Sequence, residues 1–304
     1  MFGVHHSSIS SGLHTFSMWE HYVTGALYLI IGVTAFATNG LAAIVLARQN
    51  TQPRRKYSML IYFLLTSALV NIGFPLNSSS SIAGRWLFGN FGCHFYGFIG
   101  FVVGISHIWM LFAFCIERYI ATCHREFYKR MPSIYYTLLI AAMYSVGTFW
   151  AVMPLLGWGE YGLEPTGTSC TISYINATDS FQSLIMSMVI VTYSFPIVVS
   201  CYAVSKAWTA LGNMSDSEKE KDRDLLSEEQ LTAMATIFIP IALVSWSGFA
   251  YVSIYSAITD GGTTLSHLSV TMAPLLSKSG VILYPLIILV AGIRSIPKAE
   301  SKKP

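Results

Sequence analysis

Seven long runs of apolar residues, separated by short polar segments, make up most of the chain. A helix needs about 20 predominantly apolar residues to cross the hydrocarbon core of a bilayer, and each run is longer than that. Only a helix or a closed barrel satisfies its own backbone hydrogen bonds in hydrocarbon, and runs of this length are typical of helices. The pattern therefore predicts an all-α membrane protein with seven spans, at residues 22–47, 57–83, 93–116, 133–157, 181–205, 230–258 and 265–292.

The charged residues agree with this interpretation and orient the spans. Only 11% of the residues are charged and the mean hydropathy is +0.54, whereas a soluble globular domain carries about 25% charged residues. All but two of the 18 Lys and Arg lie in the segments after spans 1, 3, 5 and 7. By the positive-inside rule these segments are cytoplasmic, which places the N-terminus outside or in a lumen. The net charge of +3 reflects this topology, and we predict no nucleic-acid partner.

The chain is predicted to form one domain, 1–304, with neither an internal repeat nor a cleavable signal peptide. It divides into an outer tail (1–21), a helical bundle (22–292) and a short cytoplasmic tail (293–304). Span 7 contains Pro274 and Pro285. Because a proline removes a helical hydrogen bond and introduces a clash, we expect span 7 to bend around a cavity.

Of five cysteines, only Cys93 and Cys170 fall on the outer side, where disulfides persist. We predict that they pair, and two free thiols are the alternative. Asn176 begins an exposed glycosylation sequence on that side, Asn-Ala-Thr. A second match at Asn77 is doubtful because it lies close to a helix end.

Lys278 is the only Asp, Glu, Lys or Arg inside any of the seven spans. A cation at the centre of a spanning helix costs about 2.5–3.5 kcal/mol on insertion scales, so its presence indicates a function. Burial disfavours the charged amine. A neutral amine is a nucleophile that forms a Schiff base with an aldehyde.

A protonated Schiff base needs an anion nearby, and no span contains an acid. The candidates are the outer-side acids Glu20, Glu160, Glu164, Asp179 and Asp260. A Cys93–Cys170 disulfide would pull the segment between spans 4 and 5 over the mouth of the bundle. Glu164 is then the first candidate and Glu160 the second, with a solvated surface position as the alternative for Glu164. No metal site is predicted.

Several motifs resemble those of the opsin family over almost the whole chain, namely seven spans, a lysine in span 7, Glu117-Arg118-Tyr119 after span 3, and Trp246 in span 6. Within that family the chain is most similar to the molluscan retinochrome branch. The stretches that carry this similarity are Met18-Trp19-Glu20-His21-Tyr22, Met153-Pro154-Leu155-Leu156-Gly157-Trp158-Gly159 and Gly167-Thr168-Ser169-Cys170-Thr171-Ile172. Two others agree, Ser106-His107-Ile108-Trp109-Met110-Leu111-Phe112-Ala113-Phe114 and Ser245-Trp246-Ser247-Gly248-Phe249.

The resemblance implies a pigment that binds all-trans retinal in the dark and isomerises it to the 11-cis form in light. The product would resupply visual opsin through a soluble retinal-carrier protein, from intracellular membranes of photoreceptor cells. Lys278 aligns with the lysine that carries retinal as a covalent Schiff base, and Glu164 with the loop counterion. Most vertebrate visual opsins have a Glu counterion in span 3, three residues after the disulfide cysteine, and this chain has Tyr96 at that position. The resemblance also implies a retinal pocket formed by Tyr96, Gly104, Ser169, Tyr174, Met188, Trp246, Phe249 and Lys278.

A light-activated receptor coupled to a G protein is the alternative function. Arg118 is present, and Glu228-Glu229 at the start of span 6 could form an ionic latch with it. However, where receptors have the motif Asn-Pro-x-x-Tyr in span 7, this chain has Tyr284-Pro285-Leu286-Ile287-Ile288. The loss of both polar ends of the motif argues against a G-protein partner. A transporter or diffusible-ligand receptor is a more distant third class. His94 and His107 are expected to hydrogen-bond within the bundle and to have no role at the chromophore.

Overall fold

The computed structural model describes residues 16–49, 56–173, 178–215, 225–259 and 266–295, almost all of them helical. The α-helices are α1 (Met18–Gln49), α2 (Ser58–Leu69), α3 (Phe74–Ile82), α4 (Gly89–Cys123), α5 (Arg125–Arg130), α6 (Ser133–Val152), α7 (Asp179–Met188), α8 (Phe195–Gly212), α9 (Glu228–Ile258), α10 (His267–Gly280) and α11 (Leu283–Ser295). A 3₁₀ turn (Met153–Leu156) extends α6, and a π-helical segment (Val189–Ser194) joins α7 to α8. The strands are β1 (Tyr161–Leu163) and β2 (Cys170–Ile172).

Within the described residues, seven helical segments are long and apolar enough to cross a membrane, which confirms the predicted fold class. We keep the names span 1 to span 7 for them: Met18–Gln49, Ser58–Ile82, Gly89–Cys123, Ser133–Leu156, Asp179–Gly212, Glu228–Ile258 and Leu268–Gly292. Large apolar side chains such as Ile30 and Val198 are more than 60% exposed on the bundle surface. Exposed apolar side chains at these positions fit a lipid environment.

Span 1 begins at Met18, four residues before the predicted start at residue 22. The reason is a capping box, in which the Glu20 backbone N–H donates to Ser17 Oγ (3.3 Å) and the Ser17 N–H donates to Glu20 Oε2 (2.7 Å). Glu20, one of the outer acids considered as a counterion, is therefore used as an exposed helix cap.

Two spans are interrupted next to the residues of interest. Span 7 breaks at residues 281–282, shortly after Lys278 and between the two prolines expected to bend it. Span 2 breaks at residues 70–73, and α3 restarts with Pro75 in its first turn, where a missing N–H is tolerated. We did not predict the break in span 2.

Span 3 lies at the centre of the bundle and is the most buried of the seven, whereas spans 1 and 4 are the most exposed. It packs against spans 2, 4, 5 and 6 and against both strands. Any side chain that points inward from span 3 therefore faces the middle of the bundle, which is where the candidate site lies.

Candidate ligand-binding site

An internal cavity lies between spans 3, 5, 6 and 7 at their outer ends, beneath the segment that joins spans 4 and 5. Its walls are mainly aromatic and aliphatic, with a small number of polar groups, which is the usual character of a site for a small apolar ligand. Eight of the residues predicted to form the site line it: Tyr96, Gly104, Glu164, Ser169, Met188, Trp246, Phe249 and Lys278. Tyr174 and the predicted glycosylation site Asn176 lie outside the described residues.

Lys278 is partly buried in the wall of this cavity. Its Nζ donates a hydrogen bond to the Tyr96 hydroxyl at 3.4 Å and lies 5.8 Å and 5.9 Å from the ring centroids of Tyr28 and Tyr96. The backbone contributes too, since the helix interruption releases the Lys278 carbonyl oxygen, which accepts from Asn71 Nδ2 at 3.2 Å. The amine is thus held at the cavity by aromatic rings and one phenol.

Tyr96 connects Lys278 to span 2 and to the loop above the cavity. Asn77 Nδ2 donates to the Tyr96 hydroxyl at 2.5 Å, and Ser169 Oγ donates to Asn77 Oδ1 at 3.4 Å. Asn77 is completely buried. The sequence predicts only a doubtful glycosylation site at Asn77, and the burial of this residue excludes that modification. Its location in an apolar span was the signal that could have marked it as part of the site.

The loop above the cavity is a β-hairpin tied to span 3. β1 and β2 pair antiparallel, with Leu163 opposite Cys170, and Cys170 forms the predicted disulfide with Cys93. A turn closes the hairpin through a hydrogen bond from the Gly167 N–H to the Glu164 carbonyl (2.8 Å), with Pro165 at the second position. Gly167 has φ +68°, a backbone conformation that glycine adopts without strain.

This hairpin brings Glu164 to the cavity, where its side chain is only 6% exposed. Burial raises the pKa of the Glu164 carboxyl to about 7, and the nearby Lys278 cation opposes that rise. Glu160, the second candidate, is exposed at the other end of the hairpin. The alternative of a solvated surface position does not hold for Glu164, and it does hold for Glu160.

Trp246 and Gly104 meet at the floor of the cavity. A Cβ atom added at Gly104 would lie 2.8 Å from the Trp246 ring, so this close approach requires glycine. Phe249 lies one helical turn above Trp246, with ring centroids 6.5 Å apart. The indole thus limits the depth of the cavity.

The end of the bundle that the sequence predicts to be cytoplasmic carries a separate charged cluster. Arg118, fully buried, donates to Glu117 Oε2 and Glu228 Oε2, each at 2.8 Å, and Lys56 lies 3.6 Å from Glu228 Oε1. We call the Arg118–Glu228 pair the ionic latch. It joins span 3 to the start of span 6. Tyr284 is fully buried and Ile288 nearly so.

The two histidines of span 3 differ. His94 Nδ1 is 2.8 Å from the Asn90 carbonyl, in line with the expectation of a hydrogen bond within the bundle. His107 is fully buried, and within the described part of the chain neither of its ring nitrogens has a partner. The rings nearest to His107 are those of Phe63, which is stacked on it at 5.1 Å, and of Trp246 and Tyr284, which are tilted at 6.2 Å and 5.6 Å.

Comparisons with known proteins agree with this architecture. A family model described as 7 transmembrane receptor (rhodopsin family) matches residues 38–287. Retinochrome of Todarodes pacificus is 56% identical over 97% of this chain and 98% of that protein. Visual pigment-like receptor peropsin of Homo sapiens is 27% identical over 91% of this chain and 83% of its own length. The crystal structure of squid rhodopsin matches in fold, with a TM-score of 0.81 at 21% identity over 94% of this chain and 86% of that one.

Proposed function

Because the chain belongs to the rhodopsin family of seven-transmembrane receptors, we propose that it is a retinal-binding photopigment that isomerises all-trans retinal to 11-cis retinal in light. The observation that carries the proposal is the Lys278 amine in the wall of an apolar, aromatic-lined cavity. The 56% identity to a retinochrome over nearly the full length of both chains supports the isomerase output over other opsin activities.

Lys278 is the attachment point in this proposal. Its amine, once neutral, would attack the retinal aldehyde and form a Schiff base with release of water. The Tyr96 hydroxyl, 3.4 Å from Nζ, accepts a hydrogen bond and orients the amine. When bound, retinal supplies the absorption of light and the double bond that rotates.

Glu164 is the counterion in this proposal. Its carboxyl is buried at the cavity, and a permanent cation there favours the ionised carboxylate over the neutral acid. The disulfide and the hairpin fix the height of this carboxylate above Lys278. Tyr96, at the position three residues after Cys93, supplies a phenol hydroxyl as a hydrogen-bonding group instead of a carboxylate.

The shape of the cavity would select the isomer. Trp246 and Gly104 limit its depth, while Met188 and Phe249 form walls from spans 5 and 6. Packed protein interiors resist changes of even one methylene group, so such walls allow rotation about some bonds of a polyene and oppose it about others. Retinal in the dark would be all-trans and the released product 11-cis. A soluble retinal-carrier protein would be the partner that takes up this product, at intracellular photoreceptor membranes.

A receptor that signals through a G protein is the second candidate, and one observation favours it: the ionic latch is formed, with Arg118 in place. The segment 284–288, which differs from the receptor motif Asn-Pro-x-x-Tyr, argues against signalling through a G protein. Ile288 has no hydroxyl with which to stabilise an opened cytoplasmic face, and Tyr284 is buried at the position of the receptor asparagine.

The test is to add all-trans retinal to the purified protein in darkness, illuminate half of the sample, and separate the extracted isomers by chromatography. We expect a visible absorption band in the dark and 11-cis retinal as the main product after light. Lys278→Ala is the matched control, and it should give no visible band. A photoproduct no richer in 11-cis retinal than free retinal in detergent would refute the isomerase. Light-dependent nucleotide exchange on an added G protein would favour the receptor.

A further inference from the structure

Tyr28 in span 1 contacts the Lys278 amine without lining the ligand cavity. Its side chain is only 3% exposed, and the Lys278 Nζ lies over its ring at 5.8 Å from the centroid. The same Nζ lies over the Tyr96 ring at 5.9 Å, and Tyr96 does line the cavity. Two phenol rings from different spans therefore meet the amine, and only one of them also borders the space for a ligand.

Two glycines allow Tyr28 to reach this position. Gly25 and Gly32 lie three residues before it and four residues after it, so all three residues lie on one face of span 1. An added Cβ atom would clash with the Ile82 side chain at Gly25 and with the Phe74 side chain at Gly32. Both of these neighbours belong to α3 in span 2. Span 1 thus packs directly against span 2 on the face that carries Tyr28.

The positive charge of the amine has no carboxylate at close range. Among the described residues, no Asp or Glu oxygen lies within 4.0 Å of Lys278 Nζ. Glu164 attracts this cation from a longer distance. One N–H of the ammonium group donates to the Tyr96 hydroxyl at 3.4 Å, and the group has three such donors. The surroundings of the charge at close range are therefore mainly aromatic.

The face of an aromatic ring is negative, and it attracts a cation that lies within about 6 Å of the ring centroid. Both rings at Lys278 are within this distance. We propose that Tyr28 stabilises the protonated Schiff base on Lys278 by a cation–π contact, which adds to the effect of the counterion Glu164. This assignment rests on the proposed function, whereas the contact of the ring with the free ammonium group does not.

The assay on the pigment is an alkaline titration in darkness. Its bleaching midpoint is the pH at which half of the visible band is lost because the Schiff base releases its proton. The titratable groups around the nitrogen, among the described residues, are Tyr28, Tyr96 and Glu164. Tyr28→Leu removes one ring and leaves the other two groups in place. We expect its bleaching midpoint to fall by about one pH unit, a tenfold change in the protonation equilibrium.

Two further variants accompany this one. Tyr28→Phe keeps an aromatic face, so its bleaching midpoint should stay near the native value. Tyr22→Leu is the matched control, because it makes the same exchange in the same span at a position that is 47% exposed. An equal fall in Tyr28→Phe and Tyr28→Leu would assign the effect to the hydroxyl and overturn the proposal.

Fluorination of the ring separates the cation–π contact from packing, and it does not depend on the folding of Tyr28→Leu. Fluorine atoms on the ring of Tyr28→Phe withdraw electrons from its face and change its shape little. The bleaching midpoint should therefore fall with each added fluorine. A midpoint that stays constant along this series would also overturn the proposal.

The contact with the free ammonium group is tested on the ligand-free protein, with lysine labelled with ¹³C at Cε. The Lys278 signal is the one that is missing from Lys278→Ala, and its titration with pH follows the amine. Its midpoint should fall by about one unit in Tyr28→Leu and should not move in Tyr22→Leu. An unchanged midpoint in Tyr28→Leu would show that the ring does not hold the cation. If the native protein forms no pigment, the proposed function fails, while this titration still decides whether the contact exists.

Discussion

The raised pKa of Glu164 makes the stability of the ligand-free protein depend on pH in a direction that one substitution can isolate. The carboxyl has an ordinary pKa of 4.5 and a folded-state value of about 7. Between these values the folded protein holds a proton that the unfolded chain releases, so stability falls as pH rises from about 4.5 to 7 and is constant above that. The difference, 7 minus 4.5, is 2.5 pKa units, which corresponds to about 3 kcal/mol at 1.36 kcal/mol per unit.

Glu164→Gln keeps the size of the side chain and removes the charge. The same two pKa values predict that the variant is more stable than the native protein by only about 1 kcal/mol at pH 5, and by about 3 kcal/mol at pH 8. The assay is thermal unfolding of the ligand-free protein in detergent, from pH 5 to pH 8, with the native midpoint subtracted at each pH. Glu160→Gln is the control, because Glu160 is exposed. A difference between variant and native that does not grow with pH would show that the Glu164 carboxyl is not buried in the ligand-free state.

Three further substitutions test other parts of the site. With retinal bound, Glu164→Gln should shift the absorption at neutral pH from the visible to the near ultraviolet, because the Schiff base loses its counterion and then its proton; an unchanged spectrum would assign the counterion elsewhere. Gly104→Ala should displace Trp246 and reduce the yield of pigment, while Gly40→Ala, in span 1 away from the cavity and where an added Cβ meets nothing within 4 Å, should leave the yield near the native value; equal yields would contradict the tight floor. Cys93→Ser opens a disulfide whose cysteines are 77 residues apart, so unfolding should require roughly 4 kcal/mol less in the chain-entropy estimate; native thermal stability in this variant would show that the hairpin holds its place without the bond.

The fold and the central residues of the site were predictable from the sequence because they leave strong, one-dimensional signals. Seven apolar runs, and one lysine within them, stand out from the order of residues along the chain. The structure has seven long apolar helices, and Lys278 in the seventh lines the cavity. Glu164 was ranked above Glu160 by a short geometric argument, since a disulfide on one side of a loop restricts which acid can face inward. In the structure Glu164 is buried and Glu160 is exposed, which agrees with this ranking.

Other parts of the site depend on contacts between spans that no local pattern encodes. Asn77 and Tyr96 lie 19 residues apart in different spans, and their hydrogen bond could not be inferred from either neighbourhood. The break in span 2 lies just before Pro75, and a proline inside an apolar run does not by itself show where a helix is interrupted. His107 was expected to find a partner within the bundle, and only its actual neighbours show that the available groups are rings.

The two ends of the bundle differ in how readily they can respond to a change in the ligand. At the outer end, the disulfide and the hairpin hold Glu164 at the wall of the cavity, so a change in the ligand acts on this carboxyl directly. At the cytoplasmic end, Arg118 is buried between two acids, and Lys56 shares one of them. Breaking a buried ion pair by removing one partner costs about 3–5 kcal/mol. A movement of the ligand would therefore have to reach the latch through Trp246 and Tyr284 with enough energy to separate such a pair, whereas Glu164 lines the same cavity as the ligand.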